Sequence, residues 1–324
     1  MAAGPSLPAL LDDLRDPAIR DLAWLLFSAN LLQGQPPVGV LAEPFESSQE
    51  ALDTVAWLRA LDAAPADLQR ELAASRITRL GRYAEHLLGY FLRHGPAARL
   101  VAAGVQVRSA GRTLGECDFL LRTRQGVQQH WELATKCYLH AGEGRGQLAD
   151  YVGPNLKDRF DLKLAHVLSH QLPLSASGAF ASLGYAGPWA PQMFIKGWLF
   201  YRHGNVASDP VELDPAHGRG WWVTCDAWQS FAANHASMWR VLPRLEWLAP
   251  RCYATVDSGE AGDAAEASPG FVDAQALGAI IALQRVPVMV AAFVQDTVGR
   301  CVEKSRGFVV PDDWPLNAQA YARQ

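Results

Sequence analysis

The chain has 324 residues, 49% hydrophobic and 19% charged, a globular composition with length for a sizeable core and room for two domains. Its net charge of −4 argues against non-specific nucleic-acid binding by the surface as a whole. Five scattered cysteines without a CxxC indicate neither a disulfide framework nor a zinc site, and fit a reducing cytoplasm.

The opening MAAGPSLPALLDDLRD is acidic where a signal peptide is basic. The apolar run LAWLLFSANLL is too short to span a bilayer. The expectation is a cytoplasmic protein with no membrane segment. Charge is unevenly spread. Residues 70–170 hold fifteen Lys and Arg against nine Asp and Glu, and six of the nine histidines, while the remainder is acidic. A basic segment in an acidic chain points to an anionic ligand met locally, with a solvated charged surface as the alternative.

Taken in chain order, residues 8–33 and 47–75 read as helices separated by Pro36-Pro37. A third helix is predicted from Ile77 to Arg93, on the apolar stripe Leu80, Tyr83, Ala84, Leu87, Leu88 and Phe91, stopped by His94-Gly95-Pro96. Strands follow at VAAGVQVRS, GECDFLLRT and VQQHWELATKCYL. A Gly-rich GEGRGQ at 142–147 leads into a predicted helix from Gln147 to His170, and PQMFIKGWLFYR at 191–202 reads as a strand. The tail predicts a strand WWVT, a helix from Asp226 to Val241 and a Gly/Ala/acid-rich loop at 256–269. A helix near 271–284 and a hairpin of VPVMVAAFV with CVEKSRGFVV complete it. The fold class is α/β: a helical region over 1–75, a core over 76–205 ordered helix, three strands, helix, strand, and a smaller α+β unit over 206–324.

The stretch CDFLLRT-RQG-VQQHWEL fixes more than a topology. A three-residue loop ending in glycine favours a type I turn followed by a left-handed residue, which Gly126 accepts. Thr123 then faces Val127, Asp118 faces Glu132, and Glu116 faces Ala134. Strand alternation predicts Glu116, Asp118, Glu132, Ala134 and Lys136 on one face. Phe119, Leu121, Val127, Trp131, Leu133 and Cys137 fall on the other. Opposed Cβ atoms lie about 4.5–5.5 Å apart, so three carboxylates that close need a cation or the lysine to neutralise them. A hard divalent ion such as Mg²⁺ prefers such oxygens; an exposed hydrophilic face with cross-strand ion pairs is the bland alternative.

An acidic strand residue, then Glu and Lys on the next strand, preceded by a helical glutamate, resembles the PD-(D/E)XK nuclease superfamily and its restriction-endonuclease-like α-β-β-β-α-β core. Gln147-Leu-Ala-Asp-Tyr151 resembles the QxxxY motif of the RecB-like branch. GECDFLL, WELATKCYL and GPNLKDRFDLKLAHVLSHQL also resemble domain-of-unknown-function family 1853. The resemblance implies Asp118 and Glu132 as metal-binding carboxylates, Lys136 as the lysine, Glu85 as the first-helix glutamate, and Gln147 and Tyr151 as the QxxxY pair. One departure is plain: three residues separate Glu132 from Lys136 where the family has one, and Ala134 stands at the usual carboxylate position. A β-bulge near Thr135, or Glu116 supplying the missing oxygen, would repair it; the hairpin register favours Glu116.

The implied chemistry is hydrolysis of a phosphodiester in nucleic acid, DNA more than RNA, with Mg²⁺ or Mn²⁺ held by Asp118, Glu132, Glu116 and Glu85. Arg76, Arg79 and Arg82, expected on one helical side, with Lys157 and Lys163, would meet backbone phosphates. The alternative is a nuclease-fold module that binds nucleic acid or a partner protein without cleaving.

Overall fold

A computed structural model describes residues 6–34, 39–142, 146–236, 238–254 and 270–324. Pro36-Pro37, the centre of GEGRGQ and the whole of the 256–269 loop lie outside the described residues. The elements are α1 (Leu7–Asp13), α2 (Pro17–Phe27), α3 (Ser48–Ala63), α4 (Ala66–Ala74), α5 (Leu80–His94), β1 (Ala98–Ser109), β2 (Arg112–Thr123), β3 (Gln128–His140), β4 (Tyr151–Val152), α6 (Phe160–His166), α7 (Gly178–Ala181) and β5 (Ala190–Arg202). There follow β6 (Gly218–Thr224), α8 (Trp228–Ala232), β7 (Met238–Val241), β8 (Cys252–Tyr253), α9 (Ala274–Ala282), β9 (Val288–Gln295), β10 (Cys301–Val310) and α10 (Trp314–Ala322). The protein is mixed α/β, built on extensive sheet.

The chain divides into two compact units, each assembled from separate stretches. The first comprises 1–136, 161–197 and 211–218. Its strands run in the order β1, β2, β3, β5. The two long helices expected at 8–33 and 47–75 are each broken in two. Asp16 ends the first break: its carboxylate accepts from the N–H groups of Ala18 and Ile19, and Pro17 sits at the first helical position. Ser47 caps α3 by accepting from Glu50 N–H, and Glu50 reaches back to Glu46 N–H.

The stripe predicted on α5 is buried as expected, and the helix packs on β1, β2 and α2. Phe119 meets α5 at Gly89, while Leu120 joins Val107, Leu174, Phe180 and Trp189. Consecutive strand residues point to opposite faces, so β2 is covered on both sides. The second cover is the segment after α6: a π turn at Val167–Gln171, a 3-10 turn at Leu172–Ala176, and α7.

The second unit comprises 137–160, 198–210 and 219–324. There the ends of β3 and β5 are followed in order by β6, β10, β9 and β7, with β4 on β3 and β8 on β10. Along β9, Met289, Ala291 and Phe293 pack with Trp222, Phe308 and Trp314, whereas Val288, Val290 and Ala292 pack with Trp228, Trp239 and Leu277. Two helices in the sequence reading form only in part. Among the described residues from Asp226 to Val241 the helix is the short α8, and Met238–Val241 pairs with β9 instead. Gln147 to Arg159 is a 3-10 turn, the two-residue β4 and a loop, with the helix starting at Phe160.

Inside the first unit β3 and β5 approach closely. Trp131 stacks on Phe194 with ring centroids 5.4 Å apart. A Cβ on Gly197 would lie 1.8 Å from the Lys136 carbonyl oxygen. Gly197→Ala must push the two strands apart, and we expect it to lower unfolding free energy by at least about 2 kcal/mol. Gly81→Ala, in the first turn of α5 with nothing within 4 Å, should stabilise by about 0.5 kcal/mol. Denaturant unfolding of both variants checks the pair.

Candidate active site: a carboxylate cavity where the β2–β3 ladder opens

The hairpin forms in the expected register. Thr123 N–H donates to Val127 O at 2.9 Å, Gly126 has φ 86°, and the pairs run from Arg122–Gln128 to Phe119–Trp131. At the next position the ladder changes character. The Asp118 carboxylate accepts from Leu133 N–H at 2.9 Å, and Asp118 N–H faces Glu132 Oε1 at 3.4 Å. Side chains have replaced carbonyls as partners, and the strands open.

The opening undoes the simple alternation expected for this hairpin. Glu116, Asp118 and also Phe119 line a cavity of about 210 Å³ against α5, together with Arg82, Glu85, His86, Gly89 and Arg93. Cys117 turns the other way and packs with Leu120, three residues on. Glu132 is not among the residues lining this cavity. It is buried, with Oε1 2.7 Å from His130 Nε2 and Oε2 accepting from Gln171 Nε2 at 2.5 Å. Ser175 Oγ lies 3.0 Å from His130 Nδ1, and Lys163 Nζ donates to Gln171 Oε1 at 2.8 Å. The single acidic face read from the sequence is therefore two environments: an open cavity with Glu85, Glu116 and Asp118, and a closed network around Glu132. The Glu116 carboxylate does share its cavity with Asp118.

Arg82 ties the cavity together. Its guanidinium lies 2.7 Å from Glu85 Oε2 and 3.8 Å from Glu116 Oε1, and the carboxylates around it raise its pKa. Burial raises Glu85 despite Arg82, and Glu116 adds to the rise. Burial, then the charge of Glu132, push Asp118 up to about 8, against the bond from Leu133 N–H. Burial pushes the Cys117 thiol to about 12, so it is no nucleophile at neutral pH.

The remaining predicted residues are dispersed. Arg76 sits in a turn with φ 43° and Arg79 is the N-cap of α5. They precede the helix, so with Arg82 they form no stripe on one helical side. Lys136 is half-buried on β3. Gln147 and Tyr151 belong to the second unit and share no helix face. Asp150 turns back to Gln147 N–H at 3.2 Å, and Tyr151 opens β4 beside His140. The buried Tyr151 hydroxyl donates to Asp209 Oδ1 at 2.8 Å, as does that of Tyr201, and Arg219 pairs with the same carboxylate. Lys157 is exposed in the second unit. The sequence reading missed His130, Gln171 and Ser175. The even spacing of His130 and Glu132 was a signal for the first; nothing local flags the other two.

Residues 20–310 match a family described as Domain of unknown function (DUF1853), and the chain belongs to that family. Comparison with curated proteins and with solved structures gave no match. No helix among the described residues is long and apolar enough to cross a membrane.

Asp118 makes stability pH-dependent in a stated direction. Its folded pKa of about 8 exceeds the ordinary 3.8, so between those values the folded state holds more protons than the unfolded one. Stability then falls as pH rises from about 4 to about 8, by up to about 1.4 kcal/mol per unit. Asp118→Asn should flatten this slope and be the more stable form at pH 8. Thermal melts of both proteins across that range check it.

Proposed function

We propose that the protein is a metal-dependent phosphodiesterase acting on nucleic acid, DNA more than RNA, and that its first unit is a PD-(D/E)XK-type nuclease core. Among the described residues the order α5, β1, β2, β3, α6, β5 agrees with that core. The carrying observation is the opening at Asp118, which gathers three carboxylates and an arginine in one cavity.

The donor set fits Mg²⁺ or Mn²⁺. Glu85, Glu116 and Asp118 offer oxygen only, as hard cations prefer. Burial and mutual repulsion hold Glu85 and Asp118 above the usual carboxylate range, a mismatch that a dication relieves. When bound, the ion supplies a bound water of lowered pKa and positive charge for phosphate oxygens. The chain's own residues do the rest. Glu132 and the Leu133 N–H hold Asp118 in place. Arg82 neutralises Glu85 and Glu116 and offers a guanidinium to an entering phosphate. Lys136 would steady the attacking water or the phosphate, and Arg76 and Arg79, before α5 in the same unit, are the cations for strand contacts.

One observation favours a second reading, a module that binds without cleaving: Ala134 is buried at the usual carboxylate position, and Glu132 is committed to His130 and Gln171. One assay separates them. Purified protein is incubated with linear, nicked and single-stranded DNA, with and without Mg²⁺ or Mn²⁺. Cleavage that Asp118→Ala reduces at least about a hundredfold, the scale of one lost transition-state contact, supports the nuclease, as does its loss in Lys136→Ala. Binding without cleavage supports the second reading. Neither binding nor cleavage overturns both.

A further inference from the structure

Apart from the carboxylate cavity, the first unit holds a buried cluster of mixed donors. One ligand atom from each of Cys117, His130 and Glu132 lies within 4.8 Å of the others, and all three residues are buried. The Glu132 oxygen and the His130 Nε2 are 2.7 Å apart, a hydrogen bond that an ion held between them would replace.

The surroundings resemble the outer layer of a metal site. A ligating histidine is normally held through its other ring nitrogen, and a ligating carboxylate through its second oxygen. Here Ser175 holds His130 Nδ1 at 3.0 Å, Gln171 holds Glu132 Oε2 at 2.5 Å, and Lys163 fixes Gln171 at 2.8 Å. Ser175, Gln171 and Lys163 come from one continuous stretch, α6 and the turns after it. That stretch packs on β2, and Leu174 belongs to the same buried apolar cluster as Cys117. The three ligand positions come from two adjacent strands, and no loop motif marks them.

We infer that Cys117, His130 and Glu132 form a second metal site, suited to a borderline-soft divalent ion such as Zn²⁺. Sulfur, imidazole nitrogen and one carboxylate oxygen are a zinc donor set, whereas Mg²⁺ takes oxygen. Three protein ligands leave a fourth position for water, and the Asp118 N–H already faces Glu132 Oε1 at 3.4 Å. The site binds its ion whether or not the cavity cleaves DNA.

Cobalt tests this because thiolate ligation gives a sulfur-to-metal charge-transfer band. Full-length protein, stripped with chelator and checked for fold by circular dichroism, is titrated with Co²⁺ in excess Mg²⁺. We expect one Co²⁺ per chain, the thiolate band, and displacement by Zn²⁺. Cys117→Ser should abolish the band, and His130→Asn should weaken binding at least about tenfold. Glu85→Gln, in the carboxylate cavity, should keep it. Because Cys117→Ser removes a packed side chain, a chain with Cys137, Cys225, Cys252 and Cys301 all changed to Ser gives a second measure: the band must persist. A folded wild type that takes up no Co²⁺ overturns the inference. So does a band that survives Cys117→Ser or vanishes when Cys117 is the only cysteine.

Discussion

Two hydrogen bonds at Asp118 carry the candidate site. In an antiparallel pair the N–H of each strand normally finds a carbonyl across the gap. Here Leu133 N–H finds the Asp118 carboxylate, and Asp118 N–H faces the carboxylate of Glu132. Buried backbone donors must be satisfied, at a cost of about 1–3 kcal/mol when they are not. Acidic side chains at these two positions let the strands part without leaving orphans. The same carboxylates that could do chemistry are therefore part of the backbone's hydrogen bonding.

Once the strands part, burial and charge sort the acids. Glu85, Glu116 and Asp118 reach an opening where Arg82 is the cation bonded among them. Glu116 raises Glu85, and Glu132 and Glu85 raise Asp118, because charges inside a protein are screened far less than in water. Glu132, one residue before the Leu133 amide, lies in a closed network with His130 and Gln171. Sidedness along two strands thus separates an oxygen-only cavity from a mixed nitrogen, sulfur and oxygen cluster.

The hairpin register was legible because its causes are local. Gly126 accepts the left-handed turn, and the turn sets which residues oppose one another. The buried face of α5 followed from its 3.6-residue period for the same reason. The QLADY segment shows the opposite case. Its spacing suits a helix, yet Asp150 closes a 3-10 turn on Gln147, and Tyr151 is buried onto Asp209, 58 residues further on. Met238–Val241 likewise became a strand because β9 was there to pair with it.

The sequence alone determined the run from α5 through β3, the β2–β3 register from Phe119 to Thr123 and the list of candidate acids, since each depends on neighbours a few residues apart. Only the tertiary structure decided which acids share a cavity. That choice turns on α5 facing Phe119, on the stretch from Lys163 to Ser175 closing over His130 and Glu132, and on an interrupted ladder between them. Those contacts join residues far apart in the chain, where periodicity carries no information and burial sets both charge and partner.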